Sequence, residues 1–227
     1  WASNFMSEGT YAFLGGMSSA GSLTRWFLNE FGQIELEAEK SGGMNAFAAL
    51  ADLAAQSEPG AKGLVALPYF EGERTPIHDP KAKGLLFGLS LKHSRGDVYR
   101  AILESVAYGI RHNIDEMEKE GVGAKRILSV GGGTKNLVWM QIVSDIAGIS
   151  LNIPAQSIGA SYGDAFMAGL GVGLFDDYSD IDKWVNMKHI ITPRVDNRDA
   201  YEFNYAIYRD LYQSTKPLMH RMSNRER

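Results

Sequence analysis

The apolar residues of this chain repeat with two periods, and the longest run is helical. Between residues 97 and 119, Val98, Ile102, Val106, Ile110 and Ile114 recur every four positions, and Leu103, Ala107 and Met117 widen the stripe. A face that apolar is not left in water, so the spacing predicts a core helix, with Asp97 standing as an N-cap or first-turn acid. Shorter helices are predicted over 23–31, through Trp26 and Phe27, over the alanine-rich 45–55, and over 161–171. The tail, 198–222, reads as a helix carrying Tyr201, Tyr205, Tyr208 and Tyr212 on one side, a packed face rather than a base-stacking surface. β-favouring runs predict strands over 9–17, 63–67, 84–89, 127–130 and 151–153, and the turn residues of 71–80 predict a loop.

Residues 127–171 order these signals into a β-α-β-α unit, in which Gly131, Gly132 and Gly133 break the first strand before a helix over 136–147. Glycines lack a Cβ, so the backbone can take left-handed angles and approach a ligand closely. The following helix offers unpaired N–H groups and the positive end of its dipole. Such a turn suits a phosphate or another anionic part of a nucleotide; it equally suits a tight turn that only packs helix on sheet. A P-loop is excluded, because no Gly-x-x-x-x-Gly-Lys-Ser/Thr run occurs. A dinucleotide fingerprint is excluded too: its sixth position is Asn136, and the next strand runs into Ile153-Pro154-Ala155 with no acid.

Composition narrows the function classes. The 227 residues are 44% hydrophobic and 22% charged, in the range of a globular domain with its own core. A net charge of −4 with intermixed signs leaves no electrostatic footprint for nucleic acid or anionic lipid. The absence of cysteine excludes disulfides, thiolate nucleophiles and cysteine metal sites, and permits the reducing cytoplasm expected for this protein. His78, His93, His112, His189 and His220 show no metal-ligand spacing. No run approaches the roughly 18 apolar residues of a membrane span, and no basic-then-apolar leader opens the chain. Trp1 stands almost directly before a predicted strand, which reads as a cut inside a longer protein.

One pattern is specific. Gly84-Leu85-Leu86-Phe87-Gly88-Leu89, a gap of seven residues, and then Asp97-Val98-Tyr99-Arg100-Ala101-Ile102-Leu103-Glu104 resembles the signature of the FGGY carbohydrate kinases. The block from Leu67 to Pro76, the turn from Gly131 to Asn136 and the segment from Gly159 to Ala165 resemble further family blocks in family order, so the resemblance covers about residues 9–173. It implies an α/β fold, one lobe of the actin-like ATPase, ribonuclease-H-like architecture, with a mixed sheet flanked by helices. In that family ATP lies between two lobes. Residues 1–227 correspond to the C-terminal, nucleotide-binding lobe, ending in a helix over 198–222, and the N-terminal sugar-binding lobe is absent.

The resemblance also implies site residues. Gly132 and Gly133 match the turn near the α-phosphate and adenosine, Asn136 a position whose side chain reaches adenine, and Gly21 and Arg25 two nucleotide-facing positions at the start of the first helix. Arg25 replaces an uncharged residue of glycerol-type members, so an ordinary solvated charge is an equal reading for it. The family's base, an aspartate in a Gly-Asp-Gln or Gly-Asp-Asn run, and its threonine-containing phosphate loop lie upstream of this segment. No catalytic residue is therefore assigned, and the chain alone is expected to be inactive. The implied reaction is transfer of the ATP γ-phosphoryl group to a hydroxyl of a sugar or polyol, with Mg2+ bridging the phosphates. The wording of the 72–76 and 131–133 blocks is nearer to xylulose kinases, and a homodimer is left open. The alternative is a non-catalytic nucleotide-sensing module of the same fold. Glu73 and Arg74 are read as pairing to brace their loop, and Asp164 as a first-turn acid favoured by its helix dipole.

Overall fold

The long amphipathic stretch forms the axis around which the rest of the chain packs. In the computed structural model, which describes residues 2–4, 9–124, 126–156 and 159–225, the elements run β1 (Ala2–Asn4), β2 (Tyr11–Phe13), α1 (Gly21–Phe31), α2 (Gln33–Lys40), α3 (Ala46–Ala55), β3 (Val65–Leu67), β4 (Leu85–Phe87), α4 (Arg95–Lys119), β5 (Ile127–Leu128), α5 (Leu137–Ala147), β6 (Leu151–Pro154), α6 (Ala160–Gly171), β7 (Met187–Ile191) and α7 (Arg198–Ser223). Helices α1, α3, α5 and α7 and strand β3 all contact α4. It starts in a capping box: the Ser94 hydroxyl accepts the Asp97 N–H, and the Asp97 carboxylate accepts the Ser94 N–H at 2.7 Å. Asp97 is thus the third helical residue and Ser94 the cap. Its carboxylate also takes the Ser57 hydroxyl at 2.6 Å and the Lys62 ammonium at 3.1 Å, and these bonds hold it far below the usual carboxylate range despite burial.

The sheets are small. Strands β1 and β2 pair antiparallel, as do β3 and β4, while β5, β6 and β7 form the mixed sheet, parallel between β5 and β6 and antiparallel between β6 and β7. The predicted strand over 9–17 is reduced to Tyr11–Phe13, with Tyr11, Phe13 and Leu14 exposed. Its glycine-rich continuation instead runs against the 71–80 loop. A Cβ on Gly16 would sit 2.7 Å from the Arg74 guanidinium, and one on Gly15 would sit 2.8 Å from the Asn113 amide oxygen. Thr75 completes the contact by accepting the Gly16 N–H at 2.6 Å through its hydroxyl.

Helix α7 seals the core. Tyr201, Tyr205, Tyr208 and Tyr212 are all buried, and each hydroxyl is bonded as buried polar groups require. Tyr201 accepts from Arg100 at 2.7 Å, Tyr208 from Tyr69 at 2.8 Å, and Tyr205 and Tyr212 donate to Asp115 and Asp79 at 2.5 and 2.8 Å. Beneath it Arg100 and Glu104 form a fully buried pair at 2.8 Å. No helix among the described residues is long and apolar enough to cross a membrane.

Candidate functional site

The starts of two helices and the outer face of a third enclose one cavity of about 760 Å³. That volume is in the range of small-molecule and cofactor sites; the hollow beside Val130 and Trp184, about 90 Å³, is not. The first wall is the start of α1, with Gly21, Thr24 and Arg25; the second is α3 and its cap, with Asn45, Phe47, Ala48, Ala51 and Asp52. The third is the glycine turn and the start of α5, from Gly132 to Trp139, and Tyr99 of α4 joins Thr24, Ala51 and Trp139 as the buried part of the lining. All five residues singled out in the sequence, Gly21, Arg25, Gly132, Gly133 and Asn136, line this single cavity.

The turn that builds the third wall differs in detail from the expectation. Only Gly131 takes a left-handed angle, with φ +91°. Gly132 to Lys135 form one 3-10 turn, closed by the Thr134 hydroxyl donating to the Gly131 carbonyl at 2.7 Å. A Cβ on Gly132 would meet nothing within 4 Å, whereas one on Gly133 would press on the Trp139 ring at 3.3 Å. Gly131 therefore makes the bend, Gly133 permits close packing, and Gly132 keeps space open beside the cavity.

Asn136 does two things at once. Its Oδ1 caps α5 by accepting the Trp139 N–H at 2.9 Å, so the residue precedes the helix rather than opening it. The amide NH2 keeps its donors for other partners, in a residue that lines the cavity. Arg25 is exposed but not merely solvated, because its guanidinium lies over the Phe47 ring at 4.4 Å from the centroid. With Lys135 and Asp52 it gives the cavity a charged rim over an apolar floor.

Neighbouring residues support the first wall from behind. Glu73 is buried, and its Oε1 accepts the N–H groups of Ser18 and Arg74 at 2.6 and 2.8 Å. Burial raises its carboxyl above the ordinary value, with these bonds pulling the other way. The carboxylate thus ties the 71–80 loop to the segment entering α1, bracing it through backbone N–H groups where the sequence predicted a Glu73–Arg74 pair. Asp164 is a correction: α6 begins at Ala160, so this exposed acid falls after the first turn, where the dipole's hold has faded. Phe47, Asp52, Tyr99 and Lys135 are lining residues that sequence reading missed. Their helix positions carry no local signal for a cavity formed by distant elements.

Comparison with known proteins places this architecture. Residues 2–172 match the FGGY family of carbohydrate kinases, C-terminal domain. The chain belongs to that family. It is 32% identical over 210 residues to a xylulose kinase of Staphylococcus epidermidis (strain ATCC 35984), covering 92% of this chain and 40% of that protein. It is 30% identical over 232 residues to a ribulokinase of Mycolicibacterium smegmatis, covering 98% of this chain and 41% of that protein. Among solved structures, xylulose kinase from Rhodospirillum rubrum superposes with a TM-score of 0.75 at 34% identity, over 90% of this chain and 40% of that one. The FGGY chain therefore spans about 40% of the length of these relatives, and its fold is the actin-like, α/β fold of the family.

Proposed function

We propose that this chain is the nucleotide-gripping half of an ATP-dependent carbohydrate kinase, acting on a pentulose of the xylulose class. The observation that carries the reading is the convergence of Gly21, Arg25, Gly132, Gly133 and Asn136, distant in sequence, on one cavity of about 760 Å³. The apolar floor suits a purine, and the exposed Arg25 and Lys135 suit the phosphates that leave it. The pentulose follows from the relatives that are xylulose kinases and ribulokinases. Acceptor and base belong to the remaining length of such enzymes, because the groups around this cavity include a single carboxylate, Asp52.

Mg2+ is expected to arrive with the nucleotide, since it usually binds through substrate phosphates and only one or two carboxylates. Among the described residues no cluster of three or more His, Cys, Asp or Glu side chains could hold a metal ion. In this reading the ion comes with the triphosphate, and no step here is routed through it.

Calorimetric titration of the chain with ADP and with a panel of pentuloses and polyols tests the proposal. ADP should bind with a dissociation constant on the order of a millimolar, about −4 kcal/mol, as one wall of a cleft allows. The sugars should not bind, and a coupled assay should find no phosphorylation, since the acceptor proton has no positioned base. Absence of ADP binding, or sugar phosphorylation by the chain alone, would overturn it.

A further inference from the structure

The cavity contains a polar group that the proposed function has not used. Tyr99 is only 1% exposed, yet it lines the cavity. Its ring is fixed against Phe27 at 5.0 Å between centroids. Its hydroxyl has no hydrogen-bond partner among the described residues, unlike the four tyrosine hydroxyls of α7. Its oxygen is not among the buried side-chain atoms left without a partner, so it opens onto the cavity, where water or a ligand can meet it. Burial alone pushes this phenol up to about 12, so it stays neutral and keeps both its donor and its acceptor.

Resting on the nucleotide reading above, we infer that the Tyr99 hydroxyl reads the 6-amino group of an adenine seated at the floor of the cavity and so selects the base. Position argues for the base rather than the phosphates. Tyr99 is the least exposed residue of the lining, whereas Arg25 and Lys135 are exposed at the rim, and the phosphates must leave by the rim to reach an acceptor. Chemistry argues for adenine. The Asn136 Oδ1 is engaged by the Trp139 N–H, so Asn136 offers its NH2 as a donor, and Tyr99, in the lining of the same cavity, can supply an acceptor. Adenine presents the complement, a ring nitrogen that accepts beside an amino group that donates. Along the same edge guanine presents a ring N–H beside a carbonyl, which sets donor against donor at Asn136.

The test is Tyr99→Phe, which removes one oxygen that makes no bond within the protein. Binding of ADP, GDP and the diphosphate of unsubstituted purine riboside is measured for both proteins by calorimetry. Wild type should prefer ADP over the 6-unsubstituted nucleotide by roughly two- to tenfold. Y99F should lose that preference through weaker ADP binding, with the 6-unsubstituted affinity and the melting temperature unchanged. In wild type carrying 13C at the tyrosine Cζ, ADP should shift the Tyr99 resonance more than the 6-unsubstituted nucleotide does. Undiminished ADP preference in Y99F, or an equal loss for both nucleotides, would overturn the inference and leave the nucleotide reading standing. Failure of wild type to bind ADP at all would remove both. Were Y99F to unfold, a Tyr99 resonance unmoved by saturating ADP would decide against the hydroxyl.

Discussion

The double role of Asn136 can be separated by two substitutions. Asn136→Asp keeps an oxygen where Oδ1 accepts the Trp139 N–H at 2.9 Å and removes only the NH2. Aspartate is as good an N-cap as asparagine, and its charge is favoured at the positive end of α5. Asn136→Ala removes both. The cap contributes about 0.5–2 kcal/mol, and for a chain of this size 1 kcal/mol lowers the melting temperature by roughly 2–4 °C. The donor to the base contributes about 0.5–1.5 kcal/mol, or roughly two- to tenfold in affinity. N136D should therefore melt with wild type and bind several-fold more weakly, whereas N136A should lose both stability and affinity.

Thermal unfolding reads the first effect and ligand titration the second. Adenosine belongs beside ADP in the titration, because it carries no phosphate for the new carboxylate to repel. If N136D binds adenosine as tightly as wild type does, the NH2 does not face the base. If N136D melts as low as N136A, the cap geometry is not what holds the start of α5.

Gly132→Val should fold normally, because a Cβ there meets nothing within 4 Å and the backbone is not in the glycine-favoured region. It should weaken ADP binding by roughly 1–3 kcal/mol as the side chain enters ligand space; unchanged affinity in the calorimeter would return the glycine turn to a purely structural role. Glu104→Ala should cost about 3–5 kcal/mol in urea unfolding, because Arg100 stays buried without its carboxylate and the Gly60 N–H loses its acceptor at 3.0 Å. Burial pushes the Glu104 carboxyl up to about 7, against the pull of Arg100, from an ordinary value of 4.5. The folded chain then holds a proton that the unfolded chain has released across that window. This contribution is complete below the unfolded value and is lost as pH rises through about 7. Glu104→Gln should flatten the slope, and parallel stability curves for wild type and E104Q between pH 5 and 8 would contradict the assignment.

What could be read from the sequence was what local pattern encodes. The stripe from Val98 to Ile114 announces α4, and three glycines between an apolar run and a helix announce the turn at Gly131. Helix α2 escaped because its pattern is inverted: Ile34 is exposed while Glu35 is buried, held by Arg95 through two bonds of 2.7 and 2.8 Å. An inward acid whose partner lies 60 residues away cannot be anticipated from periodicity. Strand β7 escaped because, among the described residues, it pairs on one side only, with β6, so its apolar residues are just half-covered and Ile190 is exposed. The site divides in the same way. The glycines and Asn136 sit in a recognisable turn, but Tyr99 reads as one more core residue of α4 until α1, α3 and α5 pack around it.

The tail illustrates how elements outside the family-matched residues 2–172 bear on the cavity. Tyr212 and His220 of α7 both reach the Asp79 carboxylate, at 2.8 and 2.7 Å, and so hold the far end of the 71–80 loop. The backbones of Glu73 and Asp79 bond each other reciprocally at 2.9 Å, so fixing Asp79 fixes Glu73. Glu73 then anchors Ser18, three residues before Gly21 at the cavity wall. Every link in this chain is a hydrogen bond made by a largely buried group, where a lost partner costs more than the bond contributes on average. The register of α7 is thus coupled to the placement of the start of α1. Tyr212, one of four tyrosines that periodicity reads as core packing, is also the first link from α7 toward one wall of the site.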